Sequence, residues 1–242
     1  MSKNLKIFLG ISYLLILFVF LYFLFSSIQV NRLNDFLYYK ELQSDLNSYI
    51  SENIILNLIY FFIFAIFWVV LLGFGSPILI MSGILFGQWL GTVISVISIS
   101  FGALFLYSIG TFFFKDLVKL LLERKFEKYI NLFKKNEFYY FFIFRFIGGL
   151  GTPFFIQNIL PIIFQMKKSN YFFSSFLGFI PGFFIINTIG AGLNKYIKQA
   201  ENFNLINLIS TKEVYLPIVF FIVIIFTSVI IKKKIFEQSN FR

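Results

Sequence analysis

Cysteine and histidine are both absent from the 242 residues of this chain. Without thiols there are no disulfides, no thiolate nucleophile and no Cys/His metal site. Without imidazole there is no histidine base, so neither a Ser-His-Asp nor a Cys-His constellation can form. The phosphate-cradling GxxxxGK[ST] loop and the dinucleotide fingerprint are missing as well. These absences lead to the expectation of no catalytic residue, no metal and no cofactor, and hence of a protein that is not an enzyme. Charge is scarce too, at 13% of residues, where ordinary globular domains carry about 25%. What is abundant is apolar: 59% hydrophobic residues, with 39 phenylalanines, and a mean hydropathy of +0.85. A water-soluble surface cannot be covered from this supply.

The net charge of +10 would suit a nucleic-acid partner, but the basic residues stand in short segments beside apolar runs. Positive-inside topology accounts for that placement, and no nucleic-acid partner is expected. The stretch Ile7 to Ile28 is too long for a signal-peptide core and has no small-residue cleavage site. It reads as a retained first span within a region 1–30, with Lys3 and Lys6 holding its start on the cytoplasmic side. Region 31–53 is polar, with Leu33, Phe36, Leu37, Leu42, Leu46, Tyr49 and Ile50 at helical spacing, the pattern of an interfacial helix. From Ile54 to Phe114 no residue is charged, about three times the roughly 20 residues that span a bilayer.

A basic stretch, 115–137, follows, with leucines and phenylalanines at helical spacing; it predicts an amphipathic helix on the membrane face. Two further spans are predicted at about Tyr171 to Tyr196 and Val214 to Ile231, the second stopped by Lys232, Lys233 and Lys234. The resulting organisation is a core over 54–197, with halves 54–114 and 138–197 joined by the basic helix, and a final span and basic tail in 198–242.

Topology follows from parity. With the N-terminus, the 115–137 segment, Lys167-Lys168 and the Lys232–Lys234 tail all cytoplasmic, the segment 54–114 crosses an odd number of times and Phe138 to Met166 an even number. The latter run gives roughly 40 Å of helix, too little to cross a core of about 30 Å twice. It is therefore predicted to enter and return as a re-entrant hairpin, its broken backbone buried in protein or lining a wet cavity.

The breakers of that run echo an earlier segment. Gly75-Ser76-Pro77-Ile78-Leu79-Ile80 matches Gly151-Thr152-Pro153-Phe154-Phe155-Ile156, and Gly102 and Gly178 fall at the same distance after each proline. Two such units of opposite orientation make an inverted-topology repeat, which places a substrate site near the bilayer midplane. The competing reading is that Gly-Ser/Thr-Pro is a common helix breaker.

Arg145 carries the sharpest chemistry. Eight residues past Glu137 on an apolar helical leg, it would stand roughly 12 Å deep, where an arginine costs at least about 2.5–3.5 kcal/mol. It should face water, a partner or an anion, or else snorkel to the interface. No Asp or Glu occurs between Glu52 and Asp116 or between Glu137 and Glu201. A phosphate would fill that gap through the bidentate fork. Pro77, Pro153, Pro161 and Pro181-Gly182 free backbone groups that a ligand, or Gln157, Asn158 and Asn187, could satisfy; a kink with no ligand is the alternative. Gly83, Gly87 and Gly91 form a GxxxGxxxG pattern, read as a close-packing face on one leg.

From about Gly75 to Leu193 the sequence resembles the SNARE-associated Golgi, or VTT-domain, proteins of the DedA superfamily, nearest the late-Golgi-vesicle-protein branch. The resemblance rests on Pro77…Gly83-Ile-Leu-Phe-Gly87-Gln-Trp89-Leu-Gly91-Thr92, on Arg145-Phe146…Pro153-Phe154…Asn158…Pro161, and on Phe173…Gly178-Phe-Ile-Pro181-Gly182 with Gly190-Ala-Gly192-Leu193. It implies movement of lipids between leaflets, with Arg145 as the hairpin arginine and Pro153, Asn158, Pro161, Gly178, Pro181 and Gly182 framing a substrate site. Two departures stand out. Gly148-Gly149 replaces a frequent proline, and the first hairpin lacks the carboxylates common among DedA members, which argues against proton coupling.

The sequence thus predicts an all-α polytopic membrane protein with two inverted re-entrant hairpins, in a bacterial-type cell membrane with both termini cytoplasmic. The expected function is translocation or scrambling of phospholipid or polyprenyl-phosphate headgroups past Arg145, with anionic membrane lipids as partners. A small-anion or solute transporter and a non-transporting membrane organiser are the alternatives.

Overall fold

In the computed structural model, residues 3–26, 32, 35–72, 74–220, 222–223 and 226–227 are described. The elements are α1 (Lys3–Ser26), α2 (Phe36–Glu52), α3 (Ile54–Leu72), α4 (Ser76–Lys135), α5 (Glu137–Phe146), a 3₁₀ turn (Gly148–Gly151), α6 (Phe154–Ile163), α7 (Lys168–Gln199) and α8 (Leu205–Ser210). Among the described residues there is no strand. Four stretches are long and apolar enough to cross a membrane: Ile7–Ser26, Ile54–Leu72, Ser76–Phe114 and Lys168–Gln199. The predicted last span lies partly outside the described residues; of it, residues 214–220, 222–223 and 226–227 are helical.

Local sequence sets most boundaries. Asp35 caps α2 by accepting from the Leu37 N–H, and Asn53 accepts from the Leu56 N–H at the start of α3. Pro77 stands in the first turn of α4, where its missing N–H costs nothing. α1 lies against α3, with the Tyr13 hydroxyl donating to the carbonyls of Val70 and Leu71 at 3.0 and 2.8 Å.

Inside α4 the chain reverses at Gly87, whose φ of 75° and ψ of −179° lie in a region open essentially to glycine alone. Ser82 and Ser95 hydroxyls are consequently 2.6 Å apart, although thirteen residues of straight helix would separate them by roughly 20 Å. The expectation that Gly83, Gly87 and Gly91 share one leg is therefore corrected. Gly87 is the reversal itself, and Gly83 and Gly91 stand on opposite arms, both pressed against Asn187 of α7.

A second correction concerns 115–137. The helix begun after Gly87 continues without a break to Lys135, so the basic segment extends a membrane helix instead of forming a separate one. Neither glycine nor proline occurs between Gly110 and Asn136, so nothing in the backbone stops it. A third concerns Pro181-Gly182, expected as a breaker: α7 runs through both as one helix.

The core sits between α3, α4 and α7. One cluster joins Ala65, Trp68 and Val69 of α3 to Ile78, Val96 and Ile99 of α4 and Phe179 and Phe183 of α7. The later arm of α4 runs antiparallel to α7: Tyr107 stacks on Tyr171 at 4.5 Å, Phe101 meets Phe172 at 4.9 Å, and Trp89 meets Phe184 at 4.8 Å. Large apolar side chains face outward, Phe18 and Trp89 at 71% exposure each. That surface would be an aggregation liability in water and suits lipid.

Candidate functional site

The site is built by two short helices folded against α7. α5 and α6 have ten residues each, about 15 Å of helix. Between them Gly148 and Gly149 take φ of 69° and 66°. At Gly149 the absent side chain also leaves room for Gln157, since a Cβ there would collide with the Gln157 amide. Gln157 in turn donates to the Thr152 carbonyl at 2.8 Å, and the Thr152 hydroxyl donates to the Gly149 carbonyl at 2.6 Å. The double glycine thus locks the turn and aims Gln157 across the hairpin.

Arg145 receives that aim. Its guanidinium is buried, 3% exposed, and donates from Nη1 to Gln157 Oε1 at 2.9 Å. From Nη2 it donates to Asn158 Oδ1 at 2.5 Å and to the Tyr171 hydroxyl at 3.1 Å. Tyr171 closes the triangle by donating to Asn158 Oδ1 at 2.9 Å. The rings of Phe141, Phe179, Phe154 and Tyr171 surround the charge, with centroids 4.7–5.7 Å from Cζ; their faces supply cation–π stabilisation. Of the surroundings expected for Arg145 (water, a partner, an anion or the interface), the structure gives it partners, a box of neutral amides and rings. Among the described residues no carboxylate bonds to it, and two buried donors, Arg145 Nε and Asn158 Nδ2, lack an acceptor.

Among the other predicted residues, Gly178 belongs to the box. A Cβ there would stand 2.5 Å from Arg145 Cβ and 3.1 Å from the Phe142 carbonyl, so glycine lets α5 lie against α7. Pro161 is fully buried within α6, and Pro153 is the exposed N-cap of that helix. Pro181 and Gly182 make no hydrogen bond in the box, and a Cβ on Gly182 would meet nothing within 4 Å. Sequence reading had not placed Tyr171, Phe141 or Phe179 in the site, and had offered Gln157 only as a neighbour for freed backbone groups.

A second polar cluster occupies the first half. The Ser82 hydroxyl, besides meeting Ser95, bonds to Asn187 Oδ1, and Asn187 donates to the Phe183 carbonyl at 2.8 Å. Several of its contacts repeat those of the arginine box at equal distances from the two prolines. Ser82 and Asn158 stand equally far after Pro77 and Pro153, as do their bonded partners Ser95 and Tyr171. Gly102 packs on Val69 and the Ile66 carbonyl just as Gly178 packs on Arg145 and the Phe142 carbonyl, again at equal distances from the two prolines. The halves share one set of internal contacts, and the antiparallel pairing of α4 with α7 points them in opposite directions. They differ where it matters chemically: Val69 occupies the position of Arg145.

Glu137 is the other buried charged side chain among the described residues, 6% exposed. Its carboxylate accepts from Asn170 Nδ2 at 2.6 Å and from the Lys167 N–H at 3.2 Å, tying the start of α5 to the start of α7.

No solved structure matches the chain. The family description "VTT domain" matches residues 69–192, which begins at Val69 and takes in both clusters and the seam between them. The chain is thus a multi-pass membrane protein that belongs to the VTT-domain family, the SNARE-associated Golgi/DedA group.

Proposed function

We propose that this protein moves lipids between the leaflets of a cell membrane, with their phosphate headgroups passing along the α4–α7 seam while the acyl or prenyl tails remain in the bilayer. The observation that carries this reading is the uncompensated charge of Arg145. A full positive charge held by carbonyl oxygens, a hydroxyl and ring faces keeps Nε–H and the Asn158 amide without acceptors. A phosphate has several strong acceptor oxygens and fits the guanidinium fork. It would replace the Gln157 and Asn158 carbonyls as partner, and both amides could turn their N–H₂ groups to it.

Inverted halves support the same reading, since each presents a polar cluster at its inner helix and a substrate could be handed from one to the other. In this scheme α5–α6 and the pair flanking Gly73–Gly75 are re-entrant hairpins, and both termini are cytoplasmic. No acid lies between Glu52 and Asp116 or between Glu137 and Glu201, and Glu137 is bonded at the mouth of the second hairpin, which favours passive exchange over proton coupling.

Reconstituted vesicles carrying a fluorescent lipid test the proposal. With the protein present, an impermeant quencher should bleach nearly all of the label instead of the outer half alone. Arg145→Gln should slow that exchange at least about tenfold, the rate change equivalent to one lost charge-assisted bond. An unchanged exchange rate in that variant would sink the role of the arginine. Phosphate or sulfate flux without lipid exchange would instead favour a small-anion transporter.

A further inference from the structure

Where the second hairpin emerges from the helices, a cleft of about 540 Å³ opens, a volume typical of sites for small organic ligands. Its wall brings together Lys134 and Lys135 from the end of α4, Lys167 before α7, and Glu137, Tyr139 and Asn170. The three lysines are exposed, and among the described residues none pairs with a carboxylate. The one acid in the cleft is turned inward: the Glu137 carboxylate is buried and taken up by Asn170 and the Lys167 N–H. Among the described residues, three ammonium groups without a carboxylate partner thus line a cavity whose one carboxylate is already bonded. Tyr139, 63% exposed, adds an amphipathic ring of the kind that marks the membrane–water boundary.

We infer that this cleft is a docking site for a phosphate-bearing lipid headgroup, distinct from the arginine box. The inference rests on the membrane reading of the hairpin but not on translocation. Along α5, Glu137 and Arg145 are separated by eight residues, roughly 12 Å. A headgroup held by the lysines would wait one short step from the guanidinium, with its tails beside the apolar outer face of α5, where Ile143 is 53% exposed.

The test is binding, read by native mass spectrometry of the delipidated full chain with phosphatidic acid, phosphatidylglycerol and phosphatidylcholine. The first two should bind in preference to the third. The triple variant Lys134→Gln/Lys135→Gln/Lys167→Gln should weaken their binding by about fivefold per lysine removed. A charge-matched control away from the cleft, Lys40→Gln/Lys198→Gln/Lys212→Gln, should leave it unchanged, and lipid exchange measured separately in vesicles reports the translocation step. A thermal midpoint within a few degrees of the parent shows that the triple variant is folded. Equal binding by parent and triple variant, or equal loss in the control, would overturn the inference. Full displacement of the lipid by inorganic phosphate would overturn the lipid assignment and leave a free-phosphate site.

Discussion

At the scale of single residues, the decisive arrangement is one arginine shared among Gln157, Asn158 and Tyr171. Asn158 serves two of those partners at once through a single oxygen. Asn158→Ala should therefore destabilise the protein by about 1.5–3 kcal/mol, the range for a bond to a charged group, seen as a lower thermal midpoint in detergent. Asn158→Asp should retain the bonds and add a counter-charge, so it should hold stability while trapping the arginine and slowing lipid exchange. Two neighbouring glycines on α7 make a paired prediction. Gly178→Ala forces a Cβ against Arg145 and the Phe142 carbonyl and should cost about 1–3 kcal/mol. Gly182→Ala meets open space and should be neutral or stabilising by up to about 1 kcal/mol, because alanine is the better helix former. If thermal midpoints fell alike in both, the close approach of α5 to α7 would not be what Gly178 provides.

At the scale of elements, glycine decides where helices reverse and sequence spacing alone misleads. Gly83, Gly87 and Gly91 have the four-residue period of a packing face, yet Gly87 turns the chain back on itself. Gly87→Ala should cost about 1–3 kcal/mol, the penalty of a side chain in that backbone region. Measured as a distance between spin labels on residues 80 and 97, the two arms should also separate. The turn of the second hairpin is legible in the sequence, because two glycines followed by Gly-Thr-Pro leave a helix no way to continue. The basic helix was misjudged for the opposite reason. A change from apolar to charged residues alters what surrounds a helix without altering the backbone, so α4 simply continues.

For the molecule as a whole, the antiparallel seam of α4 and α7 joins two halves with matching contacts and unequal charge. α7, with 32 residues, is roughly 48 Å long and exceeds the bilayer core, so its ends should lie on opposite faces. The natural absence of cysteine makes this simple to check. An impermeant maleimide should label Lys198→Cys in intact cells and Lys168→Cys only after the membrane is permeabilised. Labelling of both from one side would refute the proposed orientation.

Composition and charge spacing by themselves determined that this chain is helical, belongs in a membrane and carries an arginine inside an apolar run. They did so because hydropathy and charge are sums over residues and need no knowledge of neighbours. The Gly-Ser/Thr-Pro echo likewise lay in the sequence, since a repeat is a statement about spacing. Which groups meet Arg145 was decided only in three dimensions. Tyr171 and Phe179 come from a helix whose register against α5 is set by the size of Gly178, and nothing local marks them. The same holds for Asn187, buried against Ser82 across more than a hundred residues. Packing placed neutral oxygens and rings around the charge where sequence reasoning, finding no acid, had left an empty place for an anion.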